Sequence, residues 1–125
     1  MAPGATGAYF NNNATLGMRF NVFKNSTLVS VLVYASGDGY RTIQYRDSAG
    51  GVITGKRVFI PNGTSRVTLN IDLTPGNSYL LGVKDTANMY RNQGGAVFPY
   101  NDATGIVSIT GNNAGTAPTN YYYFY

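Results

Sequence analysis

The stretch Arg66–Leu73 reads RVTLNIDL, and it decides the fold. Its apolar residues stand at every second position: Val67, Leu69, Ile71 and Leu73. Threonine, asparagine and aspartate stand between them. Because successive side chains of a β-strand point to opposite faces, this pattern predicts a strand with one buried and one solvated face.

The same period of two recurs along most of the chain, and no segment has the 3.6-residue period of a helix. Glycine, asparagine and proline clusters separate the alternating segments, and Gly50-Gly51 suits a tight hairpin. We predict eight or nine strands: residues 16–23, 28–35, 40–47, 52–60, 66–73, 78–84, 88–91, 105–110 and 120–125.

These strands predict an all-β, antiparallel β-sandwich, either jelly-roll or Ig-like, formed by residues 1–125 as one module. In the strand at 28–35, Val29, Val31 and Val33 are placed on one face and Leu32 and Tyr34 on the other. The predicted core is Val31, Val33, Ile43, Val67, Leu69, Ile71 and Leu73.

The residue inventory argues against an enzyme. The chain has no His, Cys, Trp or Glu, and its 5 carboxylate side chains are all Asp. General acid–base catalysis usually draws on His or Glu, a nucleophilic Ser needs a neighbouring base, and zinc sites use Cys and His. We therefore expect a non-catalytic protein that requires no cofactor.

Charge and hydropathy limit the partners. Charged residues make up 11% of the chain, against roughly 25% in ordinary soluble domains. The 9 Lys and Arg residues are spread thinly, so the net charge of +4 does not indicate a nucleic-acid partner. No apolar stretch reaches the roughly 18 residues of a membrane helix, so no membrane insertion is expected. The opening Met1-Ala2-Pro3 is typical of an initiator Met placed before an excised domain.

The last third of the chain carries a resemblance to a known group of proteins. Its segments Met89–Asn92, Gly94–Tyr100, Gly105–Gly111 and Tyr121–Tyr125 follow in an order that resembles a Bacteroidetes-type accessory β-sandwich domain. The resemblance extends from about Met18 onward. It implies a non-catalytic module of a large secreted or cell-surface protein, beside neighbouring domains of that parent protein. It supplies no binding residues.

Tyrosine is the main functional signal, with 11 Tyr residues in the chain. A Tyr ring offers an apolar face and a polar edge, which suits a sugar ring, although Tyr is also an ordinary strand residue. Aromatic and hydrogen-bonding residues are concentrated in the last third, so we predict a polysaccharide or glycan site there. Its residues are Tyr90, Arg91, Asn92, Tyr100, Asp102, Tyr121, Tyr123 and Tyr125.

If the segment Tyr121–Tyr125, called the aromatic tail below, lies beside the strand that contains Tyr90, one row of its rings can face outward with Arg91 and Asn92. Alternation places Tyr121, Tyr123 and Tyr125 in one row, and we expect this row to be exposed because the other row contains Phe124. In the other interpretation of this region, Arg91 stacks on a neighbouring Tyr and Asn92 holds the turn.

Two further expectations remain open. The function is either a carbohydrate-binding accessory module or an Ig-like structural or adhesive spacer without a small ligand of its own. Asp38, Asp85 and Asp102 lie in loop contexts and are candidate ligands of a structural Ca²⁺, although no D-x-D-x-D pattern is present.

Overall fold

The computed structural model describes residues 3–4, 6–11, 15–84 and 87–125, and it confirms an all-β fold of two packed antiparallel sheets. No helix occurs in these residues. The strands are β1 (Gly7–Phe10), β2 (Leu16–Val22), β3 (Ser26–Ala35), β4 (Gly39–Arg46), β5 (Val52–Ile60), β6 (Gly63–Leu73), β7 (Gly76–Lys84), β8 (Met89–Asn92), β9 (Tyr100–Asn101), β10 (Val107–Asn112) and β11 (Tyr121–Tyr122).

The first sheet has the order β1-β8-β3-β6, and β11 also pairs with β8. The second sheet has the order β5-β4-β7-β2-β10-β9. The predicted core residues are all buried between the sheets, including the four alternating residues of β6. Alternation therefore predicted the inward face of β6 correctly, because only one face of that strand can be shielded from water.

The structure has 11 strands rather than eight or nine. Neither β1 nor β9 was predicted, because four residues beginning with Gly-Ala and a two-residue strand carry no alternation signal. β1 forms through its partner instead, since all four of its residues pair with β8.

A β-bulge changes the predicted facing of β3. Leu28 pairs with Ile71 and Ser30 pairs with Thr68, so Val29 alone lies opposite two residues of β6. One of those two, Asn70, has a φ of 50°. A bulge interrupts strict alternation, and Val29 is 57% exposed while Val31 and Val33 are buried. The placement of Val29 with the buried valines was wrong.

The aromatic tail lies between two strands of the first sheet. On one side Tyr121 and Tyr122 pair with β8, and on the other side the backbone of Tyr125 bonds Leu32 of β3. β8 and β3 themselves pair only at Met89 and Ala35. The predicted strand at 120–125 is reduced to two residues because Tyr123 has a φ of 70°, which ends the extended conformation.

Candidate functional site

The aromatic tail is buried, so its predicted exposed row does not exist. Tyr121 and Tyr123 are 2% and 0% exposed, and Tyr122 and Phe124 of the other row are buried as well. Tyr125 is half-buried. The prediction of an exposed row was wrong because it treated the tail as a strand with one solvated face. The tail is held between two strands and packs on the core, so both rows of its side chains are shielded from solvent.

The tail lies beside β8, and its hydroxyl groups bond the polar groups of two predicted site residues. The Arg91 guanidinium lies 3.5 Å from the centroid of the Phe10 ring, and its Nη1 donates to the Tyr122 hydroxyl at 3.1 Å. Asn92 is 1% exposed, and its Oδ1 accepts a 2.6 Å hydrogen bond from the Tyr125 hydroxyl. This arrangement agrees with a structural role for Arg91, whose guanidinium stacks closely on Phe10 and also lies 5.5 Å from the centroid of the Tyr122 ring.

Tyr100 and Asp102 belong to the edge of the second sheet, at β9 and in the following loop. The Tyr100 ring contacts Tyr121 with centroids 5.8 Å apart. Asp102 is exposed, and its carboxylate accepts hydrogen bonds from the Thr104 hydroxyl and from the backbone N–H groups of Ile106 and Val107. The Thr104 hydroxyl and then the backbone of Val107 lower the pKa of Asp102. The Asp102 carboxylate therefore stabilises a turn.

Four tyrosines form a connected group that crosses the first sheet, called the tyrosine cluster: Tyr9, Tyr34, Tyr90 and Tyr125. Tyr9 pairs with Tyr90 across β1 and β8, and their ring centroids are 5.8 Å apart. Tyr34 of β3 contacts Tyr90 at 6.5 Å and Tyr125 at 5.5 Å. All three contacts are edge-to-face, a favourable geometry for aromatic pairs.

Tyr9, Tyr34 and Tyr90 of the tyrosine cluster lie on the outer face of the first sheet, whereas Tyr125 packs against the core. Tyr34 lies between the buried Val33 and Ala35, so its side chain is on the outer face of β3. Tyr9 is 54% exposed, whereas Tyr34 and Tyr90 are half-buried. Sequence reasoning found Tyr90 and Tyr125 but missed Tyr9 and Tyr34. Tyr9 was missed because β1 was not recognised, and Tyr34 was treated as an ordinary strand residue.

Polar side chains of β6 continue this outer face. Thr64 pairs with Tyr34, and Arg66 pairs with Leu32, so both lie on the same side of the sheet as the ring of Tyr34. Both are exposed. Arg66 donates from Nη1 to the hydroxyl of Ser30 at 3.2 Å, and its other guanidinium N–H groups have no partner among the described residues.

A second group of exposed aromatic residues lies on the other sheet. Tyr40 and Phe59 are 60% and 52% exposed, and they pair across β4 and β5 with ring centroids 5.5 Å apart. The Arg57 guanidinium lies 4.2 Å from the Tyr40 centroid. These two rings are exposed on the opposite face of the sandwich from Tyr9, Tyr34 and Tyr90.

The predicted Ca²⁺ ligands are not gathered. Asp38 accepts a hydrogen bond from the Asn62 backbone at 2.5 Å, Asp102 serves its own turn, and Asp85 lies outside the described residues. Throughout the described ranges, no three acidic, His or Cys side chains converge as a metal site. No helix that is long and apolar enough to cross a membrane occurs in the same ranges.

No protein-family model matches this chain, and no curated protein or solved structure matches it either. The resemblance to accessory domains of Bacteroidetes therefore stays a prediction.

Proposed function

We propose that this chain is a non-catalytic carbohydrate-binding module, and that Tyr9, Tyr34 and Tyr90 of the tyrosine cluster, rather than the buried residues of the aromatic tail, contact the glycan. The observation that carries the proposal is the position of Tyr9, Tyr34 and Tyr90 on three adjacent strands of one outer face. A secreted or cell-surface parent protein fits this function, since such a module holds its neighbouring domains close to a glycan.

The geometry suits one or two sugar rings rather than a long flat surface. The rings meet edge-to-face, with interplanar angles of 84° and 67°, so they do not form a coplanar platform. Tyr9 is the ring with the most exposed area in the cluster, and a sugar C–H face would pack there. This arrangement favours an end or a bend of a glycan chain over the surface of a crystalline polysaccharide.

Hydrogen bonds from the neighbouring strand would fix the orientation of the sugar. Arg66 and Thr64 are exposed beside the cluster and offer guanidinium and hydroxyl donors. The hydroxyl of Tyr90 donates to the Gly4 carbonyl and that of Tyr125 donates to Asn92, which hold these two rings in place. The cluster would then bind without a large loss of side-chain entropy.

One observation favours the alternative of a structural or adhesive spacer. Four consecutive residues of the aromatic tail are buried, so most of the tyrosine and phenylalanine in this segment serves packing. In the spacer reading, the tyrosine cluster covers the outer face of β8 and β3 and binds nothing.

The test is retention of the isolated chain by a panel of neutral and acidic polysaccharides in affinity electrophoresis, followed by titration of each variant. Tyr9→Ala should weaken binding by roughly 1–3 kcal/mol, by analogy with stacking on other flat ligands. Tyr40→Ala is the matched control, because it removes a similarly exposed ring from the opposite sheet. Equal binding by the wild type and Tyr9→Ala would reject this site, and no retention of the wild type would favour the spacer.

A further inference from the structure

Cations that are far apart in the sequence are gathered on the outer face of the second sheet. Thr42 of β4 lies between the buried Arg41 and Ile43, so its side chain points away from the core. Thr42 pairs with Arg57 of β5 on one side and with Lys84 of β7 on the other. Because directly opposed residues share a face, these two cations lie on either side of the Thr42 side chain.

A second pair of cations lies further along the same face. Leu80 of β7 pairs with Arg46 of β4 and with Arg19 of β2, and Arg19 lies between the buried Met18 and Phe20. The register between β4 and β7 is uninterrupted from the first pair to the second. The two pairs are four residues apart, or about 13 Å along the strands, and the members of each pair are about 10 Å apart across them.

We call Arg19, Arg46, Arg57 and Lys84 the cationic face. The four strands that carry these residues contain no Asp or Glu. Among the other carboxylates, Asp72 belongs to the first sheet, Asp38, Asp47 and Asp102 accept backbone N–H groups in turns, and Asp85 lies outside the described residues. The strands of this face therefore present positive charge alone.

Neighbouring groups hold three of these cations in position. The Arg57 guanidinium lies 4.2 Å from the centroid of the Tyr40 ring. Arg46 donates from Nε to Oε1 of Gln44 at 2.9 Å, and Arg19 donates from Nη1 to a backbone carbonyl of β7 at 3.0 Å. Nη1 of Arg46 and Nη2 of Arg19 have no partner among the described residues. A ligand would bind these ordered side chains with a smaller loss of entropy than free ones.

We infer that the cationic face binds an acidic polysaccharide, whose carboxylate or sulfate groups pair with these cations. Guanidinium groups form strong, charge-assisted hydrogen bonds with such anions. Thr42, half-buried between Arg57 and Lys84, adds a hydroxyl group that can bond a sugar hydroxyl.

The arrangement favours a polysaccharide over a nucleic acid. Duplex DNA carries one charge per roughly 1.7 Å of its axis, whereas these cations are spaced by about 10 Å. Single-stranded nucleic acids bind through open aromatic rings on which bases stack, and Arg57 covers one face of Tyr40. This inference is independent of the glycan site proposed above, because Tyr9, Tyr34 and Tyr90 lie on the other sheet.

The experiment measures binding of the whole chain to immobilised polygalacturonate by biolayer interferometry. The fully methyl-esterified polymer is the matched control, since it has the same chain without the charges. The wild type should bind the acidic polymer and not the ester, and raising NaCl from about 0.05 M to about 0.5 M should abolish binding.

Two double variants locate the surface. Arg57→Gln/Lys84→Gln removes two charges from the cationic face and should raise the dissociation constant at least about tenfold. Lys24→Gln/Lys56→Gln removes two charges elsewhere and should change it less than about twofold. Lys24 lies between β2 and β3, and Lys56 pairs with the buried Ile43, so it is on the other face of β5 from Arg57.

Several results would overturn the inference. These are equal binding of the acidic polymer and its ester, no binding of either, and equal losses in the two double variants, which would assign binding to net charge. Tighter binding of a single-stranded oligothymidylate would assign the face to nucleic acid. Loss of polygalacturonate binding in Tyr9→Ala would assign it to the tyrosine cluster, and wild-type binding by that variant would support the cationic face. Neutral glycans carry no charge for the cationic face, so their binding tests the tyrosine cluster alone.

Discussion

The Arg41 guanidinium donates a 2.6 Å hydrogen bond from Nε to the carbonyl of Ala87, which joins β4 to the segment before β8. Arg41 also donates to the carbonyls of Ile60 and Gly37, at 3.2 Å and 3.0 Å. Its side chain is 7% exposed. Burial lowers the pKa of Arg41, while the nearby Asp38 raises it. One cation thus satisfies several carbonyls where a turn and both sheets meet.

Replacing Arg41 should therefore destabilise the fold. Arg41→Met keeps much of the side-chain volume but leaves these carbonyls without their charged donor, which we expect to cost about 3 kcal/mol of unfolding free energy. The measurement is urea denaturation followed by circular dichroism. Arg57→Met is the control, because Arg57 is exposed and should cost less than about 0.5 kcal/mol. Equal losses in the two variants would show that the Arg41 bonds contribute little.

Two neighbouring tyrosines of the aromatic tail should respond oppositely to loss of the hydroxyl. The hydroxyl of Tyr123 is buried and has no hydrogen-bond partner in the part of the chain that the structure describes. The Tyr122 hydroxyl accepts from Arg91 at 3.1 Å and from Asn120 at 3.4 Å. Tyr123→Phe should be neutral or stabilise by up to about 1 kcal/mol, and Tyr122→Phe should destabilise by about 1–2 kcal/mol.

Thermal unfolding of both variants beside the wild type tests this pair. A destabilised Tyr123→Phe would mean that its hydroxyl has a partner in solution, such as a buried water molecule.

The sequence predicted the burial of side chains correctly in strands that have one buried face and one solvated face. The alternation in Val67–Leu73 is such a case, and the burial follows from it. The aromatic tail is the opposite case, because aromatic residues at every position do not indicate which face is shielded. Both faces of the tail are shielded because the tertiary structure holds it between β8 and β3.

The candidate site was predicted less well than the fold, for a related reason. Tyr90 was identified, but its nearest exposed neighbour Tyr9 is 81 positions earlier, in a strand without a sequence signal. The role of Arg91 was open until Phe10 of the same strand β1 was placed beneath it. Long-range pairing assembles this surface, and a single sequence does not reveal long-range pairing.

Alkaline pH should weaken the fold through the buried tail. Burial, with the nearby Tyr100, raises the pKa of Tyr121 to about 12 from its ordinary value of 10.0, and burial also raises the pKa of Tyr123. A raised pKa in the folded state means that the unfolded chain loses its protons first. The contribution of the protonated Tyr121 hydroxyl to the unfolding free energy is complete below pH 10.0, and it is lost as the pH rises through about 12.

Urea midpoints measured across that interval test the effect. Each such tyrosine should reduce the unfolding free energy by about 1.4 kcal/mol per pH unit, and tyrosinate absorbance should rise together with unfolding. Tyr121→Phe should show a shallower decline than the wild type. A decline of the same slope in both proteins would assign the alkaline transition to other groups.

A close approach of two strands makes Gly17 of β2 irreplaceable. Gly17 pairs with Gly82 of β7, and a Cβ added at Gly17 would lie 2.5 Å from the Gly82 Cα and closer still to the Leu81 carbonyl oxygen. Both obstacles are backbone atoms, so no side-chain rotation relieves the clash. Gly17→Ala should separate β2 from β7 and reduce the unfolding free energy by at least about 2 kcal/mol.

Gly55→Ala is the matched control in β5, since nothing lies within 4 Å of a Cβ there. Because alanine loses less backbone entropy on folding than glycine, Gly55→Ala should be neutral or slightly stabilising, by up to about 1 kcal/mol. Urea denaturation of both variants gives the comparison, and a Gly17→Ala protein as stable as the Gly55→Ala protein would contradict the close β2–β7 contact.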